Sequence, residues 1–463
     1  MILSALLVTV LLGACITLSI SQRLKLIEVL GLAFLLGMGL QTFLMVCLDW
    51  AGVRLTATSV LTFSLLVVAG LVVYLYGRRA QLKEWWTYVR TFTWPEIDWL
   101  WVLVMLAIIA VATANVIKTI YYPTFDTDSI RGFNLIGLAV AHDGTFKGCG
   151  LFTDSSYPEM HGAASYMTYA PLLQFSYAYV YLLGAATSKT VSALFFLSFI
   201  AVFYGLLSRF TTHTLAAIAT LMTLLTPEML GFSSMSGTNF VHAVYASLGI
   251  LCFVTWYYRK VPSLLWMSAA LLMLNNWTRT EGIAFIGAAC SVLLWHSLRT
   301  EQYKKLLLFA GLCLFPIVFW NVFLKIHHLE ATQALILKPH WDSGKITVIA
   351  TEMWTLFKSI TFYGLTFIAF PIVLLLNVRA IFKKRDHLVT LLLIVLSWAF
   401  YTILIYQVDY VWDTLERVMK YSYKRFLFSF VPLLWFYMAA GHSMSWLFGK
   451  INNILFPKKN KRK

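Results

Sequence analysis

The sequence predicts an all-α, polytopic transmembrane helical protein, and three observations carry that prediction. Of 463 residues, 60% are hydrophobic and only 12% are charged, far more apolar than a soluble domain. The mean hydropathy is +0.76. Apolar runs about 20 residues long, the length a helix needs to cross hydrocarbon, recur along the whole chain.

Taken in order, spans are expected at 2–20, 27–48, 57–77, 98–118, 190–208, 213–229, 241–258, 262–277, 281–297, 306–325, 361–380, 388–406 and 426–448, about thirteen in all. The first, MILSALLVTVLLGACITLSI, lacks a basic lead and is followed at once by further spans, so it reads as a helix rather than a signal peptide. The six cysteines sit mostly inside apolar runs, without metal-ligand or disulfide spacing, and read as small core residues.

Orientation follows from Lys and Arg, which collect on the cytoplasmic side. Arg23/Lys25, Arg78/Arg79/Lys83, Arg209, Arg259/Lys260, Arg299/Lys304/Lys305, Lys383/Lys384/Arg385 and the tail PKKNKRK fall on one side only if PLLQFSYAYVYLLG does not span. Residues 166–186 are therefore expected to form a re-entrant or surface-lying helix on the outer face. Outer regions follow at 119–189, 230–240, 326–360 and 407–425, with a short turn from Asn275 to Thr280. The net charge of +16 is thus a topology signal with a lipid-headgroup partner in the membrane, and no nucleic acid is expected. The predicted location is the cell membrane, multi-pass, in a bacterial inner membrane, with the C-terminus cytoplasmic.

The chain holds 20 Asp+Glu against 36 Lys+Arg, yet YYPTFDTDSIRGFNLIGLAVAHDGTF places Asp126 and Asp128 just where it leaves a span. Ile130, Phe133, Gly137 and Val140 recur at near-helical spacing, leaving Arg131, Asn134 and His142 to face elsewhere. Asp128 is the expected N-cap of that helix and Gly144 its stop. Asp126, two residues earlier, is neither cap nor helix face, and an ionised group beside the membrane is costly without partners. It reads as a general base facing a lipid-borne substrate.

These features resemble the GT-C superfamily of membrane glycosyltransferases. Phe-Asp-Thr-Asp-Ser followed by a helix ending in His-Asp-Gly-Thr-Phe is similar to glycosyltransferase family 39, the protein O-mannosyltransferase and aminoarabinose-transferase branch. Tyr169-Ala170-Pro171-Leu172-Leu173 resembles the Pro-Leu motif ending that family's first outer loop. Arg279-Thr280-Glu281-Gly282 is similar to its Arg-x-Glu-Gly turn, and Arg425-Phe426-Leu427 with Pro432 to the opening of a late helix. The resemblance implies a 98–448 catalytic transmembrane domain, additional N-terminal helices in 1–97 and a basic cytoplasmic tail in 449–463. It further implies an inverting transfer of sugar from a polyprenyl-phosphate donor to a lipid, glycan or protein acceptor on the outer face, with Asp126 or Asp128 as base. Many relatives carry Asp-Glu or Asp-x-x-x-Tyr here, so the choice between the two stays open.

That chemistry needs cations for the leaving phosphate and a carboxylate for the acceptor proton. Arg279, Lys424, Arg425 and Arg131 are the candidates for donor phosphate, with Lys338, His340, Arg417 and Lys420 behind them. Glu281, His142, Tyr169 and Tyr423 are candidates for sugar or acceptor. Asp126, Asp128, His142, Asp143, Asp154, Glu159 and His161 share one loop and could hold Mg²⁺ or Mn²⁺, although no spacing specifies a site. Two other classes compete: a transporter or flippase of lipid-linked sugars, and a polysaccharide polymerase or ligase. Transporters bury ionisable groups at midplane on interrupted helices, whereas here the acids cluster outside the spans.

Overall fold

The computed structural model describes residues 2–21, 23–91, 98–153, 166, 169–329, 335–337, 341–410 and 413–455. Most of them are helical. Helices α1 (Ile2–Ile20), α2 (Leu26–Trp50), α3 (Ala57–Gly77), α4 (Arg79–Arg90) and α5 (Trp99–Tyr121) lead to the first long loop. That loop holds α6 (Asn134–Asp143), preceded by a π-type turn over Ser129–Phe133, and α7 (Leu172–Leu182). Then come α8 (Lys189–Leu207), α9 (His213–Leu224), α10 (Pro227–Ser233), α11 (Thr238–Arg259), α12 (Ser263–Asn276), α13 (Ile283–Thr300) and α14 (Tyr303–Ile326). The last are α15 (Ser343–Phe357), α16 (Thr366–Lys384), α17 (Leu388–Gln407), α18 (Val431–Ala440) and α19 (His442–Leu455), with shorter turns between them.

Among the described residues ten helices are long and apolar enough to cross a membrane, or up to twelve if each of two bent pairs is one span. The expectation of about thirteen spans thus exceeds this number, and three of the expected runs differ in form. The 213–229 run bends by 72° between α9 and α10. Pro227 lacks an N–H and biases Thr226 away from helical geometry, and Thr226 is extended (φ −65°, ψ 119°). The 426–448 run breaks at the extended Gly441, where the chain turns by 56°. Helix α12 has only 14 residues.

Helix α2 is central, with 78% of its apolar window buried. Helix α1 crosses it backbone to backbone, since a Cβ on Gly13 would stand 1.7 Å from the Ala33 carbonyl oxygen. Hydrogen bonds tie this pair to later elements: Tyr179 Oη donates to the Ala5 carbonyl (2.9 Å) and Tyr245 Oη to that of Leu35 (2.8 Å). Helix α7 is 11 residues long, about 16 Å, too short to cross a bilayer. Of the two expected forms, re-entrant or surface-lying, the surface-lying one is excluded, because Leu172 to Val180 are all buried, against α6 and α2. Helices α3 and α5 turn Leu65, Leu66, Val73, Leu103 and Leu106 outward, the surface a helix shows to lipid.

Charges sort to the two ends of the bundle. Helix α8 runs from Lys189 to Leu207 and α11 from Thr238 to Arg259, each about 30 Å long, so their first and last residues mark opposite ends. Arg23, Lys25, Glu28, Arg209 and Arg259 gather at one end. Asp126, Asp128, Glu228, Arg279, Glu281, Lys424 and Arg425 gather at the other. There a small antiparallel ribbon, Leu335–Leu337 with Val408–Tyr410, joins the two late loops, and the Lys345–Asp409 ion pair fastens α15 to it.

Candidate functional site

The site begins where α5 ends. From Tyr122 the chain runs without regular structure to Asp126, then enters the helix that becomes α6. Asp126 Oδ2 accepts from the Ser129 backbone N–H (3.1 Å) and from Ser129 Oγ (2.9 Å), while its carbonyl accepts from the Ile130 N–H (2.9 Å). That is the bonding of an N-cap. The expected assignment is therefore corrected: Asp126 caps the helix, and Asp128 lies within its first turn (φ −62°, ψ −35°) without a capping bond. The apolar periodicity starts at Ile130, but the helix starts before it.

Asp128 is held from two sides. Tyr166 Oη donates to Oδ1 (2.9 Å), and Arg425 donates from Nη1 to Oδ2 (2.5 Å). Burial and then the Asp128 charge push the Tyr166 phenol above its ordinary value, so it stays a neutral donor. The Arg425 guanidinium also lies 5.9 Å from the centre of the Phe232 ring on α10. Beside it Lys424 pairs with Glu228 of α10 (3.0 Å) and lies 4.2 Å from the Phe362 ring.

Arg279 follows α12 in the turn before α13. It forks onto Glu281 at 2.7 and 3.3 Å, donates a third bond to Asn239 Oδ1 (2.5 Å), and covers the Tyr169 ring at 5.4 Å. Gly237 joins this group to the first, because a Cβ there would stand 3.6 Å from Asp126 Oδ2 and 3.8 Å from Asn239 Nδ2. Four stretches far apart in sequence thus meet: 126–128, 228–239, 279–281 and 424–425. Below them His242 is 2% exposed, with the Asn275 amide beside its ring.

Other expected residues are placed elsewhere. His142 is exposed at the far end of α6, roughly 20 Å along the helix from Asp128, and pairs with Asp143 (2.8 Å). Arg131 is exposed, and no described residue pairs with it. Tyr423 is fully buried, its hydroxyl accepting from Trp398 Nε1 (2.6 Å). Arg417 and Lys420 form exposed pairs with Asp413 (3.8 Å) and Glu416 (2.6 Å). Lys338, His340, Asp154, Glu159 and His161 lie outside the described residues. Among the described residues no three His, Cys, Asp or Glu side chains gather where they could hold a metal ion.

Four positions carry parts of this end that the sequence reading passed over. Tyr166, Glu228 and Asn239 bind its charged groups directly, and no local pattern marks them. Asp49 is 1% exposed in the last turn of α2 and accepts from Thr145 Oγ1 (2.6 Å) and the N–H groups of Phe146 and Lys147 (3.2 and 3.1 Å). It pins the first long loop to the central helix. A lone acid inside an apolar span was the available signal. No family model, curated protein or solved structure matches the chain.

Proposed function

We propose that this protein is an inverting membrane glycosyltransferase that moves a sugar from a polyprenyl-phosphate donor to a lipid, glycan or protein acceptor on the outer face. One observation carries the reading: a carboxylate, Asp126, shares the acid-bearing end of a helical bundle with the guanidinium groups of Arg279 and Arg425. Both oxygens of Asp128 are engaged, by Tyr166 and Arg425. Asp126 is bonded through Oδ2, while Oδ1 has no described hydrogen-bond partner. Asp126 therefore takes the role of base, and Asp128 positions Arg425.

In this mechanism the acceptor hydroxyl attacks the sugar C1 and gives its proton to Asp126. The C1–O bond to phosphate breaks, and its electron pair leaves on the phosphate oxygen. Arg425 and Arg279 lie close enough to this end to stabilise that charge, Arg with a fixed fork suited to phosphate. Tyr169 and Glu281 line the same side.

A second reading, a transporter or flippase of lipid-linked sugars, draws on the two bent helix pairs, since interrupted helices are a transporter feature. Purified protein in proteoliposomes with a polyprenyl-phosphate sugar and membrane acceptors separates the two. A new glycosidic bond, seen by mass analysis of lipid-linked sugars and products, supports the transferase. Movement of intact donor across the bilayer without bond formation overturns it.

A further inference from the structure

The cations of this end are not alike. Arg279, Lys424 and Arg425 each have a carboxylate partner. Lys189, at the start of α8, is 5% exposed and donates to the Tyr122 carbonyl. Among the described residues neither it nor Lys118 forms an ion pair. A buried ammonium has three N–H donors, and leaving it against a single neutral acceptor is costly.

Lys189 lines a cleft between the end of α5, the loop to α6 and the link from α10 to α11. Lys118, Asp126, Ser129, Ser234 and Ser236 line it too. Ser236 is fully buried, and its hydroxyl faces that of Tyr177 without a close hydrogen bond among the described residues. The first turn of α8 adds the positive end of a long helix. The cleft thus combines a buried and an exposed ammonium group, neither with a carboxylate partner among the described residues, a buried hydroxyl and a helix N-terminus, with one carboxylate at its edge.

The geometry points to this cleft as an oxyanion seat, in which Lys189 takes a phosphate group directly beside Asp126. Its identification as the phosphate of a prenyl lipid rests on the transferase reading, whereas the anion seat itself rests on the cleft. Lys189 then seats the phosphate, and the paired arginines add to the stabilisation of its leaving charge.

The test is binding of a short-chain prenyl monophosphate to purified full-length protein, followed by native mass spectrometry. Lys189→Gln is expected to weaken binding about tenfold or more, the size of a lost charge-assisted hydrogen bond, and Lys189→Arg to retain most of it. Ser236→Ala is expected to weaken it by a smaller factor. Thermal unfolding of each variant reports folding, and Lys189→Arg keeps the test valid should the Gln variant fail to fold. Displacement by inorganic phosphate at similar concentration means the cleft reads the oxyanion alone. No displacement by phosphate, with prenyl alcohol also failing to bind, means it reads a lipid phosphate. Equal prenyl-phosphate binding by wild type and Lys189→Gln overturns the seat. Lys189-dependent binding without any sugar transfer would keep the seat and sink the transferase, while transfer that ignores Lys189→Gln does the reverse.

Discussion

The two ends of the bundle use the same residue types to different effect. At the basic end Glu28 is fully buried, and Arg209 forks onto it at 2.6 and 2.5 Å. The Lys25 N–H also donates to Glu28 (2.7 Å), Arg209 reaches the Arg23 carbonyl (2.9 Å), and Lys25 reaches Ser208 (2.8 Å). The charges there close on one another and on backbone, which makes a staple. At the opposite end the Arg425–Asp128 pair is partly exposed, 29% and 28%, and the same end holds a cleft lined by Lys189, which has no ion-pair partner among the described residues. A protein fastens its ends with charges that are fully partnered. Under the transferase reading, the chemistry falls to the end where the pairing is incomplete.

The largest effect that would sharpen this contrast is at Asp126. Asp126→Asn should cut the sugar-transfer rate by about 10²–10⁴-fold, the range for a positioned general base. Asn is also a good N-cap, so thermal stability should hardly change. Transfer at the wild-type rate would remove Asp126 from the chemistry.

The basic end should respond in the opposite way. Glu28→Ala leaves Arg209 buried without its carboxylate and should cost about 3–5 kcal/mol of stability, read from thermal or denaturant unfolding in detergent. The protein that remains folded should transfer sugar normally. A variant that unfolds like wild type but loses activity would erase the distinction between the ends.

A smaller effect is expected for the Arg425–Asp128 pair, which is only partly buried. Arg425→Ala and Asp128→Asn should each slow transfer about tenfold at sub-saturating donor, roughly the value of a charged hydrogen bond. In the double variant the losses should not add, because both remove one contact. Full additivity in that cycle would show that the residues act separately.

The smallest effect is at His142, exposed and remote from Asp126. His142→Cys should change transfer less than about twofold, in the ordinary range for surface positions. It should react with a membrane-impermeant thiol reagent in intact cells. Native Cys149 nearby should stay silent, since burial pushes its thiol up to about 12. Labelling of the new cysteine only after permeabilisation would reverse the topology.

What the sequence disclosed follows from how far each signal reaches. Hydropathy is a sum over about 20 neighbours, so the long apolar helices from α1 to α17 were legible within a few residues. Lys and Arg in the loops told which segments share an end. The Arg279–Glu281 contact, two residues apart, was also foreseeable. Asp126 and Asp128 exchanged cap and partner roles because a helix start depends on which N–H a carboxylate reaches, not on where apolar spacing begins. Lys189 was hidden, since its partner is a carbonyl 67 positions away and its sequence setting is an ordinary helix start. Helix α15 was missed because its mixed composition lies in a loop without a spanning run.

Helix α12 has a consequence for the bundle around it. Fourteen residues rise about 21 Å, while a typical hydrocarbon core is roughly 30 Å thick. A full span would need roughly 9 Å more. Ten of the fourteen residues are buried, so neighbouring helices rather than lipid cover α12. Non-helical backbone is tolerated at such depth where protein satisfies it, and the Thr278 and Arg279 N–H groups both donate to the Asn275 carbonyl (3.0 and 2.9 Å). The charged turn is thus a plug of protein standing where a further helical turn would be.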